Sequence, residues 1–139
     1  MAKLKANLRF DVAIRKSRID GLGAFAVVPV AARRKIGEFE GERINRDEAR
    51  KRASRRHRIA IVELDNDMAI DGSRRGNKTR FVNHSCSPNT YIRIHNGRIE
   101  FYALRDIAEG EELTCHYGET HHEGSRRCMC NSANCRGFL

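Results

Sequence analysis

The chain has 139 residues, 40% of them hydrophobic and 32% charged, with 11 Gly, 2 Pro and a formal net charge of +9. That size bounds it to one domain with a modest core, and that composition excludes a disordered tail. No apolar run reaches the length of a membrane span and the start Met1-Ala2-Lys3-Leu4-Lys5 has no signal-peptide core, so the expectation is an intracellular protein with no membrane partner.

Phe10, Val12 and Ile14 alternate with polar residues or Ala, which predicts a half-buried strand running into the two-glycine turn Asp20-Gly21-Leu22-Gly23 and the apolar stretch Ala24 to Val28. Ile36 to Ile44 is a further extended segment interrupted by Gly41, and its Glu38, Glu40 and Glu42 would share one strand face. Asn45, with Glu48 three residues on, predicts a capped helix over Arg46 to Arg58. Its only apolar positions are Ala49 and Ala53, so it should pack lightly. Ile59 to Leu64 and Met68 to Ile70 then flank the turn Asp65-Asn66-Asp67. Asn96-Gly97, with Ile92 and Ile94 before it and Ile99 and Phe101 after it, is a two-residue hairpin signal. Leu113 to Tyr117 is a last short strand after Gly110-Glu111-Glu112. Many short strands with little helix predict an irregular, mostly β fold.

The charge suggests an anionic partner, but much of it lies between Arg46 and Arg58, a pattern shared with ordinary solvated surfaces. Cys128, Cys130 and Cys135 crowd the tail, and Cys86 lies far upstream. In a reducing compartment, clustered cysteines suit metal ligation better than disulfides, and four thiolates suit a tetrahedral zinc. Read alone, they are also consistent with reduced cysteines. Of the five cysteines, Cys115 is left for another task.

The run Arg80-Phe81-Val82-Asn83-His84-Ser85-Cys86-Ser87-Pro88-Asn89 closely resembles the signature of SET-domain protein-lysine methyltransferases, and the resemblance extends over roughly residues 10 to 139. Ser17 to Ala26, with Gly21, Gly23, Phe25 and Ala26, resembles the family's opening segment, and Glu38-Phe39-Glu40-Gly41-Glu42 its next strand. Ile70-Asp71, Gly76-Asn77, Ala103 to Leu113 and the Cys-x-Cys-x4-Cys tail follow in the family's order.

The resemblance implies a SET-type fold of several small sheets with a short helical insert, a pseudoknot-like active site and a zinc-stapled C-terminal tail. It places the SET domain at 1–118, with a variable insert at about 43–68, and the post-SET tail at 119–139. It implies S-adenosylmethionine as methyl donor, held by Gly21, Leu22, Gly23, Arg80, Asn83, His84 and Phe138, and structural zinc held by Cys86, Cys128, Cys130 and Cys135. Read alone, Gly-x-Gly is an ordinary turn, Asn83 a turn residue and His84 a core histidine. Tyr117 stands where the family has its active-site tyrosine, and Phe39, Tyr102, Cys115 and Tyr117 are expected to line the lysine channel.

The sequence departs from the family at three of these positions. Cys115 replaces a Phe or Tyr that tunes how many methyls the amine accepts, which predicts di- or trimethylation. His116 replaces a carboxylate or amide, and Phe39 a frequent Tyr. The leading expectation is therefore SN2 methyl transfer to a lysine of a histone or histone-like basic protein. Its alternatives are a catalytically idle SET-like binding module and a small basic zinc protein binding nucleic acid. Glu38, Glu40, Glu42, Glu109, Glu111 and Glu112 could make the groove acidic toward a basic tail, and Arg46 to Arg58 could touch the DNA of a nucleoprotein substrate. The length leads to an expected bacterial, archaeal or viral source, with a cytoplasmic location, or a nuclear one if delivered to a host. Homodimerisation is left open.

Overall fold

The computed structural model describes residues 8–56, 59–64, 66–117 and 128–138. The fold is mostly β, built from several small sheets rather than one large one. β1 (Val12–Lys16) and β2 (Leu22–Ala26) pair antiparallel, with Val12 opposite Ala26 and Lys16 opposite Leu22. Beyond Ala26 the apolar stretch leaves the strand, and Val27 and Val28 are exposed.

A three-stranded sheet places β9 (Arg98–Ala103) between β3 (Lys35–Phe39) and β8 (Thr90–His95). β8 and β9 form the expected hairpin. Asn96 and Gly97 have φ of 51° and 71°, the pair of positive values that a tight turn matched to strand twist requires. The main core gathers on these sheets, with Ala24, Ile36, Ile99, Phe101, Ile107 and Leu113 all buried.

The expected extended segment from Ile36 to Ile44 is instead two strands in different sheets: β3 stops at Phe39, and β4 (Glu42–Asn45) pairs with β6 (Met68–Asp71). The cause is a close approach at Gly41, where a Cβ would lie 2.2 Å from the Asp71 carbonyl oxygen. Glu38, Glu40 and Glu42 therefore do not share a strand face. The Glu38 carboxylate is instead committed to Arg98 and Lys35, at 2.6 and 3.0 Å.

β4, β6 and β5 (Ile61–Glu63) make the sheet that carries α1 (Arg46–Ser54). Asn45 caps the helix, its side-chain oxygen accepting from the Glu48 N–H at 2.8 Å. The helix is shorter than expected and ends at Ser54, with Arg55 as its C-cap; 57–58 lie outside the described residues, as does Asp65. Ala49 and Ala53 are its buried residues, and they pack with Ile44, Ile61 and Ala69 in a second, small cluster.

So light an apolar contact needs reinforcement. It comes from Asp71, whose side chain is fully buried and accepts from Arg52 at 2.9 Å and Arg56 at 3.0 Å. The Ser73 hydroxyl and N–H complete the set at 2.6 and 3.0 Å. Burial alone would push this carboxyl up, but the Ser73 hydroxyl, Arg52, the Ser73 N–H and Arg56 together hold it down at about 2, against an ordinary 3.8. A depressed carboxyl pKa stabilises the fold above its unfolded value. Asp71 thus contributes about 2 kcal/mol near neutrality, lost as pH falls from about 4 through 2. Asp71→Asn should cost about 2–3 kcal/mol in denaturant unfolding at pH 7, because it removes the buried carboxylate that Arg52 and Arg56 share, while Arg52 keeps Glu42 and Glu48. The deficit relative to the unaltered protein should shrink in acid, and a loss independent of pH would contradict this assignment.

Candidate active site and zinc knuckle

Two residues of parallel strand build the centre of the site. β7 (Asn83–His84) lies beside β10 (Thr114–Cys115), Asn83 opposite Thr114 and His84 opposite Cys115. β10 is shorter than the expected Leu113 to Tyr117. The Ser85 N–H extends the pairing to the Cys115 carbonyl at 3.0 Å. Asn89 secures the other strand: its side-chain oxygen accepts from the Thr114 N–H at 2.8 Å, and its amide donates to the Glu112 carbonyl at 2.8 Å.

The Asn83 amide points at the Gly21–Gly23 loop. It donates toward the Leu22 and Asp20 carbonyls at 3.0 and 3.2 Å, the Ser17 hydroxyl at 3.2 Å and Glu112 Oε2 at 2.9 Å. Ser17 donates in turn to the Glu112 carboxylate at 2.8 Å, and its own hydroxyl oxygen accepts from the Ile19 N–H at 2.9 Å. Gly23 sits against this clasp so closely that a Cβ would meet Glu112 Oε2 at 2.3 Å, and Gly21 turns the chain at φ 41°. An amide has two hydrogens, so Asn83 spends them on shaping the loop. Ser17, Asn89 and Glu112 were not singled out as site residues from sequence. All three lie within the motifs that carry the family resemblance.

His84 is buried and faces the tyrosine. Its Nδ1 accepts from the Tyr117 N–H at 2.9 Å, and the two rings meet edge-on with centroids 5.2 Å apart. Burial, followed by the nearby charges of His116 and Arg136, pushes the imidazole down to about 4, so the ring is neutral at pH 7. The Tyr117 hydroxyl donates to the Val82 carbonyl at 2.8 Å, so the residue is held at its backbone and at its hydroxyl while remaining 39% exposed. His116 packs edge-on against His84, centroids 4.7 Å apart.

The other expected site residues spread around this centre. Cys115 is fully buried, and burial pushes its thiol up to about 12, so it stays protonated. Phe39 shares the main core with Cys115, its ring against Gly72. Tyr102 stacks on Tyr91 at 5.5 Å on the β8–β9 sheet. Leu22 and Phe138 are exposed, and so is Arg80, whose guanidinium lies over the Phe81 ring at 4.4 Å.

The four expected metal ligands do converge. The sulfurs of Cys86, Cys128, Cys130 and Cys135 all lie within 4.8 Å of one another. A tetrahedral zinc with Zn–S of about 2.3 Å asks for sulfurs roughly 3.8 Å apart, so the set fits with little adjustment. Backbone N–H groups already point at the sulfurs: Arg136 at Cys86, 3.3 Å, Gly137 at Cys135, 3.4 Å, and Cys86 at Cys130, 3.5 Å. Burial pushes the Cys130 thiol up, but the Cys86 N–H, the Ser132 hydroxyl and N–H and Cys128 outweigh it and bring it down to about 5. Cys86 and Cys128 are pushed up, chiefly by burial. Asn134 adds a metal-independent latch, donating to the Cys86 carbonyl at 3.0 Å while accepting from Ser87.

The small sheets, the parallel β7–β10 pair and the cysteine-stapled tail define a class of protein, and the chain belongs to the SET-domain family, whose model matches residues 21–118. It is similar to proteins named "Histone-lysine N-methyltransferase, H3 lysine-4 specific" from Kluyveromyces lactis, at 38% identity, Saccharomyces cerevisiae, at 37%, and Candida albicans, at 36%. Each match covers 92% of this chain and 13–14% of the relative, so the chain spans about one seventh of their length.

Because buried thiols must lose protons to ligate, zinc should bind more tightly as pH rises, with proton release on loading. Metal analysis of purified protein should find zinc equimolar with the chain, and Cys128→Ser should lose most of it. Unaltered zinc content in that variant would contradict the ligand set.

Proposed function

We propose that the chain is an S-adenosylmethionine-dependent protein-lysine N-methyltransferase with a zinc-stapled tail, acting on a histone or histone-like basic segment. The observation that carries this reading is the placement of Tyr117. Its backbone is held by His84 and its hydroxyl by Val82, one strand away from the Asn83-anchored glycine loop. The names of the relatives support a histone H3 lysine as substrate class and a chromatin-associated setting. Among the described residues, no helix is long and apolar enough to cross a membrane.

The chemistry makes few demands on side-chain reactivity. S-adenosylmethionine, when bound, supplies an electrophilic methyl on a sulfonium. The substrate lysine is the nucleophile, and neutralising an amine of pKa near 10.4 at pH 7 costs about 4–5 kcal/mol. Desolvation by an apolar wall lowers that cost, and buried Phe39 and Cys115 are the residues that would supply the wall. The lysine ammonium would first lose a proton to water; its neutral nitrogen would then take the methyl as the C–S bond breaks to a neutral thioether, leaving a methylated ammonium. The Tyr117 oxygen would align amine and methyl rather than react.

In this reading Gly21, Leu22 and Gly23 form the donor's cradle, shaped from behind by Asn83, Ser17 and Glu112. Arg80 and Phe138 would close over the donor from the surface. The zinc holds the segment from Cys128 to Phe138 against β7 and takes no part in the transfer. Cys115 presents a small, un-ionised side chain where relatives carry an aromatic ring, leaving room for a methylated amine to turn. This supports di- or trimethyl products.

The exposed basic residues Lys51 and Arg55, with Arg50 exposed but 3.8 Å from Glu63, support a contact with DNA next to the substrate tail. Their neighbours are less available, since Arg46 pairs with Glu63 and Arg52 and Arg56 with Asp71. That division favours a nucleoprotein substrate over a dedicated nucleic-acid binder.

Incubation with labelled methyl donor and histone H3 should transfer label to lysine, and Tyr117→Phe should slow turnover by at least about a hundredfold. Mass spectrometry under excess enzyme should show di- or trimethyl lysine. Donor binding without transfer in the unaltered protein would instead establish an idle module, and a monomethyl limit would contradict the role given to Cys115.

A further inference from the structure

His84 is buried, only 3% exposed, and both its ring nitrogens have partners within the protein rather than across the expected donor cradle. Nδ1 lies 2.9 Å from the Tyr117 backbone nitrogen. A backbone N–H can only donate, so Nδ1 accepts and carries no proton. The ring proton is therefore on Nε2, and Nε2 lies 3.3 Å from Cys86 Sγ. Sulfur bound to a metal is a thiolate, an acceptor for such a group, and N–H donors around a metal site orient its ligands and tune their basicity.

From this geometry we propose that His84 is a positioning residue that ties the zinc knuckle to the catalytic tyrosine, with Nε2–H donating to the Cys86 thiolate and Nδ1 accepting from the Tyr117 amide. The link is three covalently rigid pieces long: metal-bound sulfur, imidazole ring and tyrosine backbone. The parallel pairing of His84 with Cys115 fixes the ring's own backbone between its two partners. Zinc then does more than staple the tail. It holds a thiolate in place as the acceptor that orients the ring, and the ring's other nitrogen sets the path of the chain as it leaves β10 at Tyr117. Without the metal, the Cys86 sulfur is no longer held in place as a ligand, and the ring loses the fixed partner that sets its rotation. A displacement of the tyrosine hydroxyl by about 1 Å would be enough to cost on the order of a hundredfold in rate.

The proposal rests on the reading of the four cysteines as a zinc site in a methyltransferase, and its tests need neither substrate nor turnover. Nitrogen NMR of the zinc-loaded, unaltered protein should find the His84 ring as the Nε2–H tautomer, with Nδ1 unprotonated. The Nδ1–H tautomer would overturn the proposal whatever the protein's activity. Two variants then separate the two bonds. His84→Gln keeps a donor near the Nε2 position and should release zinc to a chelator at close to the unaltered rate. His84→Asn keeps an acceptor near the Nδ1 position but is too short to reach the sulfur, and should release zinc about tenfold faster. Equal release from the two variants would overturn the link to Cys86. If the unaltered protein fails to transfer methyl groups while these results hold, the functional reading falls and the His84 link stands.

Discussion

Asn83 and His84 have two residues of strand to rest on, paired in parallel with Thr114 and Cys115. A parallel pairing this short contributes little by itself, since it makes only a few ladder hydrogen bonds. What gives it weight is the number of other segments that depend on it. Asn83 holds the glycine loop, His84 holds Tyr117, and Cys86, two residues on, holds the tail. Loop, tyrosine and tail come from three distant parts of the chain, and although the loop runs into β2, Tyr117 and the described part of the tail lie outside the strands. Displacing β7 from β10 would scatter all three at once.

The same dependence accounts for the distribution of polar groups. Asn83, His84, Ser85, Asn89, Thr90 and Thr114 are buried and polar, an expensive composition for an interior unless each group is partnered. Their partners are one another and the neighbouring backbone, as in the Asn89–Thr114 exchange and the Thr90 hydroxyl that donates to the Thr114 carbonyl at 2.6 Å. A network of this kind has few alternative arrangements, which suits the proposed task of holding an amine and a methyl in line. The helical insert is anchored separately, by Asp71 and a small apolar cluster of its own. It can therefore vary its outward face without disturbing the β7–β10 pair.

Local chemistry was legible in the sequence. Asn96-Gly97 specified its hairpin through two positive φ values, and Asn45 capped its helix, because both depend only on adjacent residues. Cys128, Cys130 and Cys135 were legible by their clustering, and the family resemblance implied Cys86 as the fourth, although read alone the cysteines were also consistent with reduced thiols. Contacts between distant segments were not legible. The carbonyl of Asp71 lies against Gly41, and this approach ends the strand that an alternating Glu pattern extended through Glu42. Nothing near Asp71 in sequence announces that Arg52, in the helix, and Arg56, just beyond its end, will converge on it. The motif around Asn83 pointed to the candidate site but not to the contacts of its side chain: the amide faces Ser17, Asp20, Leu22 and Glu112, a set of partners that only folding assembles.

The claim that β7 organises the site, with zinc securing it, is tested most directly by native-state hydrogen exchange of single amides. Ser85 N–H donates to Cys115 and Tyr117 N–H to His84, so both should be strongly protected in the zinc-loaded protein. Removing zinc should lower the protection of these two amides together while the amides joining β9 to β3 and β8 keep theirs. A Tyr117 amide that exchanges freely in the zinc-loaded protein, or one whose protection is indifferent to zinc, would contradict the claim.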